Sequence, residues 1–80
     1  MILCKVSGAV TAASMESGLE NLGFALLSRE DGSTFVAADR LGVSPGSHVL
    51  VCQGEAAQAV LGGKTPIDAV VIGEVLQGAP

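Results

Sequence analysis

The stretch TFVAADRLGVSPGSHVLVCQGEAA, residues 34–57, alternates between extended and turning sequence, and its reading decides the fold. Phe35-Val36 and Val49-Leu50-Val51 are apolar and rich in β-branched residues, the character of strands. Between them lies a loop carrying Gly42, Pro45 and Gly46. Pro45 fixes φ, and glycine reaches backbone angles that other residues adopt only at a cost, so the loop has a defined shape. Asp39 closes the first strand and opens the loop, where its carboxylate is placed to accept hydrogen bonds from loop amides as an Asx-type turn residue. After the second strand, Gly54 to Val60 is alanine-rich and long enough for about two helical turns. Gly62-Gly63 ends that helix and Pro66 prevents its resumption. The loop contains no nucleophile, base or metal-ligand cluster, and its expected role is to build an assembly rather than a reaction centre.

Working outward, Ile2 to Thr11 alternates as a strand, with Ile2, Cys4, Val6, Gly8 and Val10 on one face, and Gly8 marks a bend. Ala12 to Leu22 reads as an irregular connection. Gly23 to Ser28 is a second strand, and Arg29 to Ser33 is a hairpin turn signalled by Asp31-Gly32. Thr34 to Ala38 returns as the third strand and Ser47 to Gln53 forms the fourth, with Val49 and Val51 on one face. Asp68 to Leu76 is the fifth, apolar on both faces except at Glu74, with Gly73 as another bend. That two-sided hydrophobicity predicts a strand covered by its own barrel on one side and by a neighbouring subunit on the other. Gly78-Ala79-Pro80 reads as a frayed end. Five short strands, one short helix and corner glycines predict an all-β fold: a small five-stranded OB-like β-barrel, forming one domain over residues 1–80.

Composition narrows the function classes. Eighty residues are close to the size at which one core barely suffices. Hydrophobic residues make up 49%, charged residues 15%, and the mean hydropathy is +0.56. So much apolar side chain in so small a domain predicts burial against other subunits. No run of about 18 apolar residues offers a membrane span. The net charge of −4 and the presence of only two aromatics, Phe24 and Phe35, argue against a nucleic-acid partner, which draws on positive charge and stacking platforms. Two cysteines make no disulfide framework, and the first strand begins at Ile2 without a preceding targeting segment, so the expected setting is reducing and cytosolic.

Three candidate chemistries present themselves. Gly63-Lys64-Thr65 resembles the tail of a phosphate-binding loop, but that motif needs a glycine where Gln58 stands, and Pro66 blocks the helix that should begin at the lysine. Cys4 and Cys52 fall short of the four ligands zinc needs and read as core residues. His48 and Cys52 share a strand face, yet are about 13 Å apart along an extended strand, beyond hydrogen-bond reach. The carboxylates are scattered, and Glu55 supports the first turn of the short helix. No cofactor, metal site or catalytic residue is expected.

Five segments in order carry a family resemblance. Leu3 to Val10 (LCKVSGAV) is similar to an opening "GKVxGxVV" strand. Ser17-Gly18-Leu19-Glu20 followed by Leu26-Leu27 is similar to the segment between the first two strands. Val36 to Val51 (VAADRLGVSPGSHVLV) aligns without gaps to "VAVDxVGAGxGExVLV". Gly54-Glu55-Ala56-Ala57 is similar to "GSSA", and Pro66 to Gly73 (PIDAVVIG) to "PVDAAIVG". In these the chain resembles the EutN/CcmL family, the pentameric vertex proteins of bacterial microcompartment shells. The resemblance implies a non-enzymatic structural protein of the cytoplasmic microcompartment shell. As a homopentamer it would cap the vertices of the polyhedral shell beside hexameric shell proteins, without nucleic acid or membrane. It also marks Asp39, Gly42, Pro45, Gly46, Gly54 and Ala57 as the structural and assembly positions. Ser44, Ser47, Glu55 and Gln58 depart from the family pattern, and are expected to alter exposed-face electrostatics and contacts with particular hexamers. The alternative class is an OB-like ligand- or nucleic-acid-binding module.

Overall fold

The computed structural model describes residues 1–11, 15, 19, 22–63 and 66–76. In chain order it contains β1 (Ile2–Val10), β2 (Gly23–Ser28), β3 (Thr34–Asp39), β4 (His48–Gln53), α1 (Glu55–Val60) and β5 (Ala69–Val75). The strands close into a barrel in the order β1-β2-β3-β5-β4. Neighbours pair antiparallel except β3 and β5, which run parallel and meet at Ala38 and Val70. The expected all-β barrel with one short helix is the observed architecture, and element ends shift by a residue. β1 stops before Thr11, β3 continues to Asp39, β4 begins after Ser47, and β5 lacks Asp68 and Leu76. Most of the 12–22 connection, and the end at Gly78-Ala79-Pro80, lie outside the described residues.

A five-stranded barrel is narrow, so its interior admits small side chains. Cys4 and Val6 of β1, Ala25 and Leu27 of β2, and Ala37 of β3 point inward. Val49 and Val51 of β4 and Ala69 and Val71 of β5 complete this inner cluster, each at most 3% exposed. Ile2, Phe35 and Val43 pack against it. At the hairpin after β2, Arg29 lies over the Phe35 ring, 4.0 Å from its centroid, and so covers part of the ring.

A second cluster forms on the outside of the wall. Ala38 and Val70 face outward from β3 and β5, and Ala57 of α1 packs on them, with Phe24, Cys52, Leu61 and Ile67 around the contact. Alanine at positions 38 and 57 allows the helix to approach the sheet closely. This corrects one expectation. At Val70 the outer face of β5 is covered by the chain's own helix and not by a neighbouring subunit, whereas Ile72 remains 38% exposed.

The two glycine-marked bends are register shifts. On β1 the pairing with β2 slips between Val6 and Gly8, so Ser7 is bulged. Beyond it Gly8 and Val10 pair with Leu26 and Phe24, which alternate with the inward Ala25 and Leu27. Gly8 and Val10 therefore lie on the outer wall, and the single face predicted for Ile2, Cys4, Val6, Gly8 and Val10 holds only through Val6. On β5 the pairing passes from Val71 to Gly73, leaving Ile72 as the extra residue.

The helix contact predicts a contrast between two adjacent alanines. Ala57→Leu overpacks a fully buried site and should lower stability by about 1–3 kcal/mol. Ala56→Leu, on the exposed side of α1, should stay within about 0.5 kcal/mol. Urea denaturation of the two variants checks the difference.

Candidate assembly site

The β3–β4 loop is held from inside by one carboxylate. Asp39 Oδ1 accepts hydrogen bonds from the amides of Leu41 (2.9 Å) and Gly42 (3.1 Å), and Oδ2 accepts from the Val43 amide (2.9 Å). Three consecutive amides are thereby turned toward a single side chain, and Val43 is directed onto the inner cluster. The loop then makes a second turn. The Ser47 amide donates to the Ser44 carbonyl (3.1 Å), with Pro45 and Gly46 at the central positions and Gly46 at φ 92°. Proline followed by a left-handed glycine is the type II arrangement, which a β-branched residue at the second centre would strain.

Two backbone bonds fasten this turn to β1. The Gly46 amide donates to the Val6 carbonyl and the Val6 amide to the Ser47 carbonyl, each at 2.8 Å. Val6 thus places its side chain in the inner cluster while its backbone fixes the loop.

Gly54 and Ala57 belong to a neighbouring but separate unit. Gly54 is the N-cap residue of α1, and its amide donates to the Asp68 carbonyl (2.7 Å), tying the helix start to the segment before β5. Ala57 is buried under its own helix, so it acts as a packing residue. Asp39, Gly42, Pro45 and Gly46 therefore lie in one loop, and Gly54 and Ala57 lie at the start of the helix beside it. Ala38, next to Asp39, joins the two through its contact with Ala57. At the other end of the helix, Arg40 Nη2 donates to the Val60 carbonyl (3.4 Å), and the Gly63 amide donates to the Gln58 carbonyl (2.6 Å).

Two residues of this region escaped the sequence reading. A Cβ on Gly23 would lie 2.9 Å from the Asp39 carbonyl oxygen, so the β2–β3 end needs glycine for close approach. Arg40 reaches the helix end across 20 positions of chain, a contact for which local sequence carries no signal.

The remaining candidates lie outside this loop. Cys4 is buried in the barrel, and burial pushes its thiol above its ordinary range, partly offset by Arg29. Cys52 packs beneath α1, and His48 stands exposed at the other end of β4. Among the described residues no three His, Cys, Asp or Glu side chains gather in a way that could hold a metal ion. Lys64 and Thr65 of the phosphate-loop remnant lie outside the described residues. A surface cleft of about 400 Å³ beside the β2–β3 hairpin is lined by Leu3, Cys4, Lys5, Ser28, Arg29, Glu30 and His48. Cys4 packs in the inner cluster while His48, paired with Lys5, lies on the opposite face of the wall, so thiol and imidazole do not form a nucleophile–base pair. Asp31 in that hairpin accepts from the Ser33 hydroxyl (2.7 Å) and amide (2.9 Å). These bonds, with Arg29 nearby, hold its carboxyl below the usual carboxylate range. The hairpin therefore has this support above the ordinary range and loses it as pH falls through the lowered value. Phe24 and Phe35 are both engaged in packing, which removes them as stacking platforms for the nucleic-acid alternative.

Because Asp39 bonds three amides, Asp39→Ala should lower stability by about 1–3 kcal/mol, while Asp39→Asn, keeping one acceptor oxygen, should lose less. Denaturant midpoints of the two variants measure the difference.

The comparisons with known proteins agree with this geometry. The profile of the family described as "Ethanolamine utilisation protein EutN/carboxysome" matches residues 1–75. The structure of the pentameric shell protein MSM0273 from the RMM microcompartment is 32% identical, with a TM-score of 0.88 over 100% of this chain and 95% of that one. The GrpN pentameric microcompartment shell protein from Rhodospirillum rubrum is 31% identical, with a TM-score of 0.84 and complete coverage of both chains. CcmL of Gloeobacter violaceus is 36% identical, with a TM-score of 0.81 over 94% of this chain and 84% of that one. No match was found among curated proteins. A closed five-stranded barrel, an ordered β3–β4 loop and a profile match over residues 1–75 converge on one conclusion: the chain belongs to the EutN/CcmL family.

Proposed function

We propose that residues 1–80 form one shell-vertex domain, which assembles as a homopentamer and caps the vertices of a bacterial microcompartment in the cytoplasm. The observation that carries this reading is the full-length likeness to a pentameric microcompartment shell protein. The role is structural. The ring closes the gap left where flat sheets of hexameric shell proteins meet at a five-fold corner, and no residue turns over a substrate. Neither nucleic acid nor membrane is a partner in this reading, and no helix of the described residues is long and apolar enough to cross a bilayer.

The physical logic is that of a repeated small block. A domain this short buries little surface by itself, and association with copies of itself supplies the additional burial. The β3–β4 loop serves as the rigid element of the block, because Asp39, the Pro45-Gly46 turn and Val6 leave it little freedom. Ser44, Ser47, Glu55 and Gln58 tune the exposed faces toward particular hexameric neighbours.

Co-expression with hexameric shell proteins of one compartment tests the role. With this chain present the particles should be closed polyhedra impermeable to a macromolecular probe, and without it they should have open corners. Equal closure in both cases would contradict the vertex role. Gly46→Val, which puts a β-branched residue at positive φ at a cost of about 1–3 kcal/mol, should weaken both ring formation and closure. Normal rings from this variant would remove the loop from the assembly machinery.

A further inference from the structure

Among the described residues, apolar positions on the outer wall away from α1 fall into two rows. Residues facing each other across paired strands share one side of the sheet. The registers therefore align Leu3, Leu50 and Gly73 across β1, β4 and β5. Beyond the Ser7 bulge, Gly8, Leu26 and Val36 form a second row across β1, β2 and β3. A polar row of His48, Lys5 and Ser28 separates them, with the Ser7 and Ser28 hydroxyls bonded to each other.

The two rows differ in side-chain bulk, the first carrying Leu3 and Leu50 on β1 and β4 and the second beginning with Gly8 on β1. Leu3 is 55% exposed and borders the cleft beside the β2–β3 hairpin. At Gly8 an added Cβ would meet nothing within 4 Å among the described residues, so the second row opens on bare backbone there, with Leu26 and the 46% exposed Val36 beside it across the strands. A closed ring needs a head-to-tail interface, in which each subunit offers one patch to one neighbour and a different patch to the other. A stable contact takes about 800 Å² from each partner, so a ring member gives up about 1,600 Å². The isolated chain exposes 5188 Å², and the large exposed side chains of its strands, Leu3, Val36 and Ile72, lie in or beside the two rows.

We propose that the occupant of each row is a second copy of this chain, with Leu3 of one subunit seated over Gly8 of the next. The Leu3–Leu50–Gly73 row packs on the Gly8–Leu26–Val36 row around the ring. This assignment rests on the five-subunit reading and names the surfaces that build it.

The test adds a side chain at Gly8. Gly8 has no left-handed φ and has open space, so Gly8→Ile suits the strand and should fold. Size-exclusion chromatography with light scattering should show the wild-type ring and, for Gly8→Ile, a folded chain whose ring population falls at least about tenfold. Leu3→Glu, at an exposed position, should do the same from the opposite patch. In a Cys52→Ser background, Leu3→Cys combined with Gly8→Cys should link under mild oxidant into a ladder of up to five chains. Either cysteine alone should stay single. Wild-type rings accompanied by intact rings of Gly8→Ile and Leu3→Glu would overturn the surface assignment and leave the five-subunit reading standing. Unlinked rings of the double-cysteine variant would also overturn it. A monomeric wild-type chain would overturn both.

Discussion

The narrowness of the barrel is the constraint from which the rest follows. Five strands enclose too little space for large side chains, and the interior is accordingly made of Ala25, Ala37, Ala69, four valines, Cys4 and a single leucine, Leu27. Apolar residues beyond that number have to face outward. The chain covers some of them itself, since α1 closes over Ala38 and Val70 and draws in Phe24 and Cys52. The others, among them Leu3, Val36 and Ile72, stay exposed on the strands. A fold that cannot internalise its own hydrophobic content is suited to life as a repeated unit, and the relatives named as pentameric shell proteins are such units.

Assembly also demands rigidity, because small angular errors in each block would accumulate around a closed ring. The β3–β4 loop obtains it without a disulfide or a metal. One carboxylate gathers three amides, a Pro-Gly turn sets the return direction, and paired backbone bonds to Val6 fix the loop on the wall. The helix is tied at both ends, at Gly54 to the segment before β5 and at Val60 to Arg40. These are local devices that residue types alone can specify, which suits an 80-residue chain with a small core.

How much of this was legible in the sequence depended on how local the cause was. The Asp31-Gly32 hairpin, the Asp39 turn and the Pro45-Gly46 turn were readable because each arises from neighbouring residues with specific backbone preferences. Strand alternation located all five strands for the same reason. The bulges at Ser7 and Ile72 were not readable as register shifts, because a shift is a property of two strands together. Glycines 8 and 73 marked the places without giving the consequence, which is that Gly8 and Val10 change sides. The docking of Ala57 on Ala38 was hidden because alanine gives no periodic apolar signal. The close approach at Gly23 depends on a strand partner 16 positions away. Of the candidate site, the loop positions could be recognised one by one, but the division into a loop unit and a helix unit required the fold.

A chain built to close a ring should be found as a ring in solution. Native mass spectrometry of the purified chain at micromolar concentration tests that claim most directly. The account predicts one dominant species at five times the 7.9 kDa chain mass. A folded monomer as the dominant species would contradict it, since the exposed apolar wall would then have no copy of itself to cover it. A six-membered species would contradict the five-fold geometry on which the vertex role depends.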